Sequence, residues 1–110
     1  MNIAQIAKMA QQMQSQMAQA QDELKETTLE ATAGGGAVRV VITGSGEMRA
    51  IEIDPSAVDP AEVEMLQDLV LTAVNDAITR AKELERERMG RIAGGLGLPG
   101  MPGLPGLTSR

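Results

Sequence analysis

The sequence predicts an α+β fold of two layers: a helix, a three-stranded antiparallel sheet and a long helix, in the order α-β-β-β-α. Three observations carry this. Apolar residues recur at helical spacing over the first two dozen positions, the period drops to two between Thr27 and Asp54, and helical spacing returns after Asp59-Pro60. The chain has 110 residues, of which 43 % are apolar, but fifteen of these are alanine and none is Phe, Tyr or Trp. Its core must be thin, and a domain this small buries only about two-thirds of its unfolded-chain surface, so burial against a second subunit is expected.

The first helix is read from Ile3, Ile6, Ala10, Met13, Met17, Ala20 and Leu24, spaced alternately by three and four. This is a heptad seam on a helix otherwise made of Gln and Ala, and its methionines suit an adaptable surface. From Thr27, Leu29, Ala31 and Ala33 face one way, while Thr28, Glu30 and Thr32 face the other. Gly34-Gly35-Gly36 makes the turn into a second strand with Val38, Val40 and Ile42 on one face. The glycine triplet lacks the Lys-Ser/Thr ending of a phosphate loop and is followed by a strand, so it is a tight turn. Thr43 to Glu47 is a second turn, and Met48 to Asp54 a third strand carrying Ile51 and Ile53 on one face.

Asp59, Pro60 and Glu62 fit the N-cap, first and third positions of a helix. Val63, Leu66, Leu69, Val70, Ala73, Val74, Ala77, Ile78, Ala81 and Leu84 then keep one wide apolar face. No apolar stripe is visible in Glu85 to Arg88, which predicts that this end leaves the body; Gly94-Gly95 should end the helix. Both helices exceed a seven-residue strand of roughly 23 Å, so their ends either project or pair across a dimer. Residues 1–93 are expected to fold as one domain and residues 94–110, rich in Gly and Pro, to form a disordered tail.

The chain has neither Cys nor His, which excludes disulfides, thiolate chemistry and Ser-His-Asp or Cys-His catalysis. Without aromatics it lacks the stacking platforms usual for single-stranded nucleic acid. No signal peptide or membrane-spanning segment is expected, nor a metal, a cofactor or a small-molecule substrate, and the chain reads as cytoplasmic. An enzyme is not expected: Glu62, Glu64 and Asp68 suit the first turn of a helix better than a metal cage. The net charge of −5 is unevenly spread. Residues 1–21 hold only Lys8, residues 22–79 three cations against twelve carboxylates, and residues 80–110 six cations against three.

Met9 to Leu24, Gly34 to Val38, Ile53-Asp54-Pro55, Leu66 to Val70 with Ala73 to Ala77, and Gly94-Gly95-Leu96 with Leu98-Pro99-Gly100 occur in an order and spacing that resembles the YbaB/EbfC family of bacterial nucleoid-associated proteins. The resemblance covers almost the whole chain. It implies a homodimer whose protruding helices form a tweezer-like shape that binds double-stranded DNA, alters its conformation, organises the nucleoid and regulates gene expression. The candidate phosphate contacts are Lys8, Arg80, Lys82, Arg86, Arg88 and Arg91, with Arg39 and Arg49 as second choices on the outer sheet face. The candidate dimer interface is Leu66, Leu69, Val70, Ala73, Val74 and Ala77. A protein-interaction adaptor, using the methionine-bearing seam and the acidic centre, is the alternative.

Overall fold

The computed structural model describes residues 2–95. Its elements are α1 (Ile3–Glu26), β1 (Thr28–Ala33), β2 (Val38–Thr43), β3 (Met48–Ile53) and α2 (Val63–Gly95), with single 3₁₀ turns at Pro55–Ala57 and Pro60–Glu62. The strands form one antiparallel sheet in the order β1-β2-β3. The predicted α-β-β-β-α order is therefore the observed one. Helix α2 is described as far as Gly95, two residues beyond the expected domain boundary, and the rest of the expected tail, residues 96–110, lies outside the described residues.

Local chemistry fixes the element ends. Asn2 accepts a hydrogen bond from the Gln5 backbone N–H at 2.8 Å, and the Gln5 side chain accepts one from the Asn2 N–H at 3.2 Å, a reciprocal cap that starts α1. The β1–β2 turn needs positive φ at Gly34, Gly35 and Gly36 (65°, 68° and 97°), which only glycine adopts without strain. Asp59 caps a helical start as expected, but Pro60–Glu62 is a 3₁₀ turn and α2 begins at Val63. The Asp54 carboxylate accepts from both the backbone N–H and the hydroxyl of Ser56 at 3.0 Å, which closes the preceding turn and lowers the Asp54 pKa.

The core lies between α2 and one face of the sheet. Ala31, Ala33, Val38, Val40 and Ile42 meet Ala73, Ala77 and Ala81, all buried. Helix α2 packs over β1 and β2. Strand β3 lies to the side, and although Ile51 and Ile53 are register partners of the buried Val40 and Val38, they remain 48 % and 37 % exposed.

Beyond the sheet, α2 continues alongside α1. The two helices run antiparallel: Leu84 meets Leu24 over Gly44, and Ile92 shares a cleft with Gln16. Helix α2 runs beyond the sheet after Leu84, as expected, but an apolar stripe does continue there. Leu84, Arg88 and Ile92 continue the helical stripe, with the half-buried Arg88 standing where an apolar residue would otherwise fall. The N-terminal part of α1 runs past the described end of α2, and its seam is bare there: Ile3 is 83 % exposed and Ile6 53 %.

Gly44 is the junction of sheet and arm. Its N–H donates to the Thr27 carbonyl at 2.9 Å, and a Cβ there would lie 2.8 Å from Leu24 Cδ2, 3.1 Å from the Leu24 carbonyl oxygen and 3.1 Å from Leu84 Cδ2. Gly90 has open space around it inside α2. Gly44→Ala should therefore cost about 1–3 kcal/mol by overpacking. Gly90→Ala should stabilise by about 0.5–1 kcal/mol through helix propensity. Urea denaturation midpoints of the two variants should move in opposite directions.

Candidate nucleic-acid interface

The arm formed by α1 and the second half of α2 carries most of the cations. At about 100° per residue, α2 places its five basic side chains in three directions. Lys82 and Arg86 lie together on the flank next to the β2–β3 turn, where Lys82 lines a shallow cleft with Gly44, Ser45, Gly46, Ile78 and Glu85. Arg80 and Arg91 lie on the other flank, and each is held by a carboxylate one turn earlier: Asp76 at 3.1 Å and Glu87 at 3.2 Å. Arg88 faces α1 and pairs with Glu23 at 3.3 Å. A further interhelical contact runs from the Gln21 amide to Glu85 at 3.4 Å.

The six candidate phosphate contacts are thus brought onto one arm but not into one patch. Lys8 sits on the exposed part of α1 that extends beyond α2. Lys82, Arg86 and Lys8 make no ion pair among the described residues. Arg80 and Arg91 are in exposed one-turn pairs, whose strength is a few tenths of a kcal/mol and is further reduced by salt. Arg88 is the most enclosed, its side chain 26 % exposed.

The second-choice arginines are placed differently. Arg39 is on the outer sheet face, where it bridges Glu30 of β1 and Glu52 of β3, the latter at 2.9 Å. The hydrogen bond from Arg39 and its charge hold the Glu30 carboxyl below the usual carboxylate range. Arg49 lies 3.7 Å from Glu47. Arg39 is therefore a tie across three strands, a role visible only once the register sets it opposite Glu52.

Charge is separated along the molecule. Residues 50–79 contain seven carboxylates and no cation. Asp54, Asp59, Glu62, Glu64 and Asp68 gather near the Gly34–Gly36 end of the sheet, where the Asp54 N–H donates to Ala37. The arm leaves from the opposite end, at Gly44. No group of three or more acidic residues among the described residues could hold a metal ion, and no described helix is long and apolar enough to cross a membrane.

The candidate interface residues divide in two. Ala73 and Ala77 are wholly enclosed by the protomer's own sheet, and Leu69 packs against Gly34. Leu66, Val70 and Val74, with Val63 and Leu71, line an open groove along α2. Ile78, one turn after Val74, sits at the β2–β3 turn, so this flank of α2 is the one that looks toward β3 and the bare Ile51 and Ile53. Val63, placed on the apolar face by periodicity, is half exposed, and Met65 and Leu71, outside that face, are more so, because the helix is apolar over more than the width that one sheet can cover.

Comparison with known proteins agrees with this architecture. Residues 1–96 match the model of the YbaB/EbfC DNA-binding family. A nucleoid-associated protein of Acetivibrio thermocellus is 53 % identical over 96 residues, covering 87 % of this chain and 85 % of that protein. One of Chloroflexus aurantiacus is also 53 % identical, covering 87 % and 96 %. One of Nocardia farcinica is 50 % identical over 98 residues, covering 89 % of each. Among solved structures, an uncharacterized protein of Helicobacter pylori superposes with a TM-score of 0.72 at 26 % identity, over 79 % of this chain and 91 % of that one.

The outer-face tie is open to direct measurement. Because the folded-state pKa of Glu30 is depressed below 4.5, its contribution to stability is complete above that value and is lost as pH falls through the lowered one. In Arg39→Gln the Glu30 carboxyl should titrate upward into the ordinary carboxylate range, read by carboxyl carbon NMR; an unmoved titration would mean that Arg39 is not its partner in solution.

Proposed function

The chain belongs to the YbaB/EbfC DNA-binding family, and on that footing we propose that it binds double-stranded DNA as a homodimer, changes the conformation of the DNA, organises the nucleoid and regulates gene expression. The observation that supports this best is the arm: a paired α1–α2 projection that carries Lys8, Lys82 and Arg86 without ion-pair partners among the described residues. It leaves the sheet at the end opposite the acidic cluster, so the net charge of −5 does not describe what an approaching duplex meets. Cations released locally from the DNA supply the affinity.

The dimer reading rests on incomplete coverage. One helix of roughly 10 Å diameter covers two strands spaced about 4.8 Å apart, not three. Ile51 and Ile53 and the groove from Val63 to Val74 form adjoining apolar surfaces that a second copy, offering the same surfaces across a two-fold axis, would cover. Two arms on such a dimer would flank a duplex. The bare Ile3 and Ile6 favour a second reading, in which α1 also meets a protein partner; duplex DNA in a mobility-shift assay separates it from the first.

Light scattering should give twice 11.6 kDa for the full chain. Leu71→Glu, at an exposed position, should yield a monomer whose helix content is kept, since the charge would be stranded only in the dimer. A variant that remains dimeric would remove this groove from the interface.

Duplex binding should weaken steeply with salt. Three contacts per subunit, Lys8, Lys82 and Arg86, make six per dimer, and a slope of about −0.9 per phosphate gives a fall of about five decades in affinity per decade of salt. Lys82→Gln with Arg86→Gln should flatten the slope to about −2 and weaken all duplexes alike, with an unchanged melting temperature. An unchanged slope would move the site off this flank of α2.

A further inference from the structure

Arg88 differs from the other cations of the arm. It faces the groove between the helices, which α1 lines with Gln19, Asp22, Glu23 and Glu26 and which Thr27 closes just past its end, and its guanidinium donates to Glu23 Oε1 at 3.3 Å. A DNA phosphate approaching Arg88 would have to displace Glu23 and would meet two further carboxylates at the same wall. The carboxylate is already in place and loses no translational freedom, whereas the phosphate must be brought there. The arginine of this pair is also the most enclosed, 26 % exposed against 55 % for Arg80 and 67 % for Arg91, while Glu23 itself is 56 % exposed.

We propose that Glu23 acts as an internal competitor of DNA phosphate, holding Arg88 out of the DNA contact and setting the affinity of the arm below what its cations would allow. The inference rests on the DNA-binding reading above and goes beyond it by assigning a restraining role to an acidic residue on α1. It also gives the arm a second state. Loss of the Glu23 charge frees Arg88 to swing toward the duplex, and with it one of the two polar ties between the helices among the described residues is removed.

A double-mutant cycle on the full chain tests this, with duplex affinity measured across a salt series for the wild type, Glu23→Gln, Arg88→Gln and the double variant. Arg88→Gln alone should leave affinity and slope nearly unchanged, because the contact is not in use. Glu23→Gln should steepen the slope by about 2, one phosphate for each subunit of the dimer, and tighten binding by roughly tenfold or more at 0.1 M salt. The double variant should return to the wild-type slope. Two results overturn the proposal: an equal gain from Glu23→Gln with or without Arg88, which is general charge relief, and a loss of affinity in Arg88→Gln alone, which means that Arg88 already contacts DNA. Glu83→Gln, on the same helix and outside any ion pair among the described residues, sets the scale of general charge relief. A wild type that binds duplex with a salt slope while the cycle is additive sinks only this inference. A wild type without salt-dependent duplex binding sinks the functional reading together with it.

Discussion

Helix α2 lies on the sheet through Ala73, Ala77 and Ala81, set against Ala31, Ala33, Val38, Val40 and Ile42. With no aromatic ring anywhere in the chain, this contact has to be close to be dense, and only a residue as small as alanine on the helix lets the backbone come near enough. A helix held that close covers the strands directly beneath it and little else. From this follow both the burial of the inner faces of β1 and β2 and the exposure of Ile51 and Ile53 on β3. The uncovered strand and the open flank of α2 are thus two sides of one geometric shortfall, and the proposed dimer is the way that shortfall is met.

The same helix is longer than the sheet. Its 33 residues span about 50 Å, roughly twice the length of a strand, so half of it needs other support. Helix α1 supplies that support from Leu24 back toward Gln16, and the point where the two helices cross the sheet edge is closed by Gly44, tied by its N–H to Thr27. The arm is therefore continuous with the core rather than hinged to it. Leu24, wholly buried, belongs to α1 yet packs where sheet, turn and α2 meet.

Electrostatics follow this division. Carboxylates crowd the end of the sheet away from the arm, and the cations of the arm are sorted by which side of α2 they leave: two outward and unpaired among the described residues, two paired along the helix, one turned inward to Glu23. Five basic residues within twelve positions are not five equivalent contacts. Their differing ties leave a chain with an excess of carboxylates a small cationic face without a large basic patch.

The order of elements, the strand faces and both turns were legible in the sequence, since periods of 3.6 and 2 and the glycines of tight turns are local properties of the backbone. The family was legible too, from motifs spread along the chain. Ala73, Ala77 and Ala81 were legible as part of the apolar face of the helix, and Val38, Val40 and Ile42 as one face of a strand, but Ala73 and Ala77, expected at a dimer interface, are buried against the protomer's own sheet. Sequence could not decide which part of an apolar face is covered, because that depends on how many strands lie under one helix; hence Ala73 and Val74, neighbours in the same candidate list, have different fates. Nor could it show that Arg88 meets Glu23, sixty-five positions away, or that Arg39 ties Glu30 to Glu52. Ion pairs of that kind are set by register and helix crossing, and charged residues carry no periodic signal that announces their partners. The local grammar of the chain fixed its elements, while the neighbour of each cation was decided only by tertiary packing.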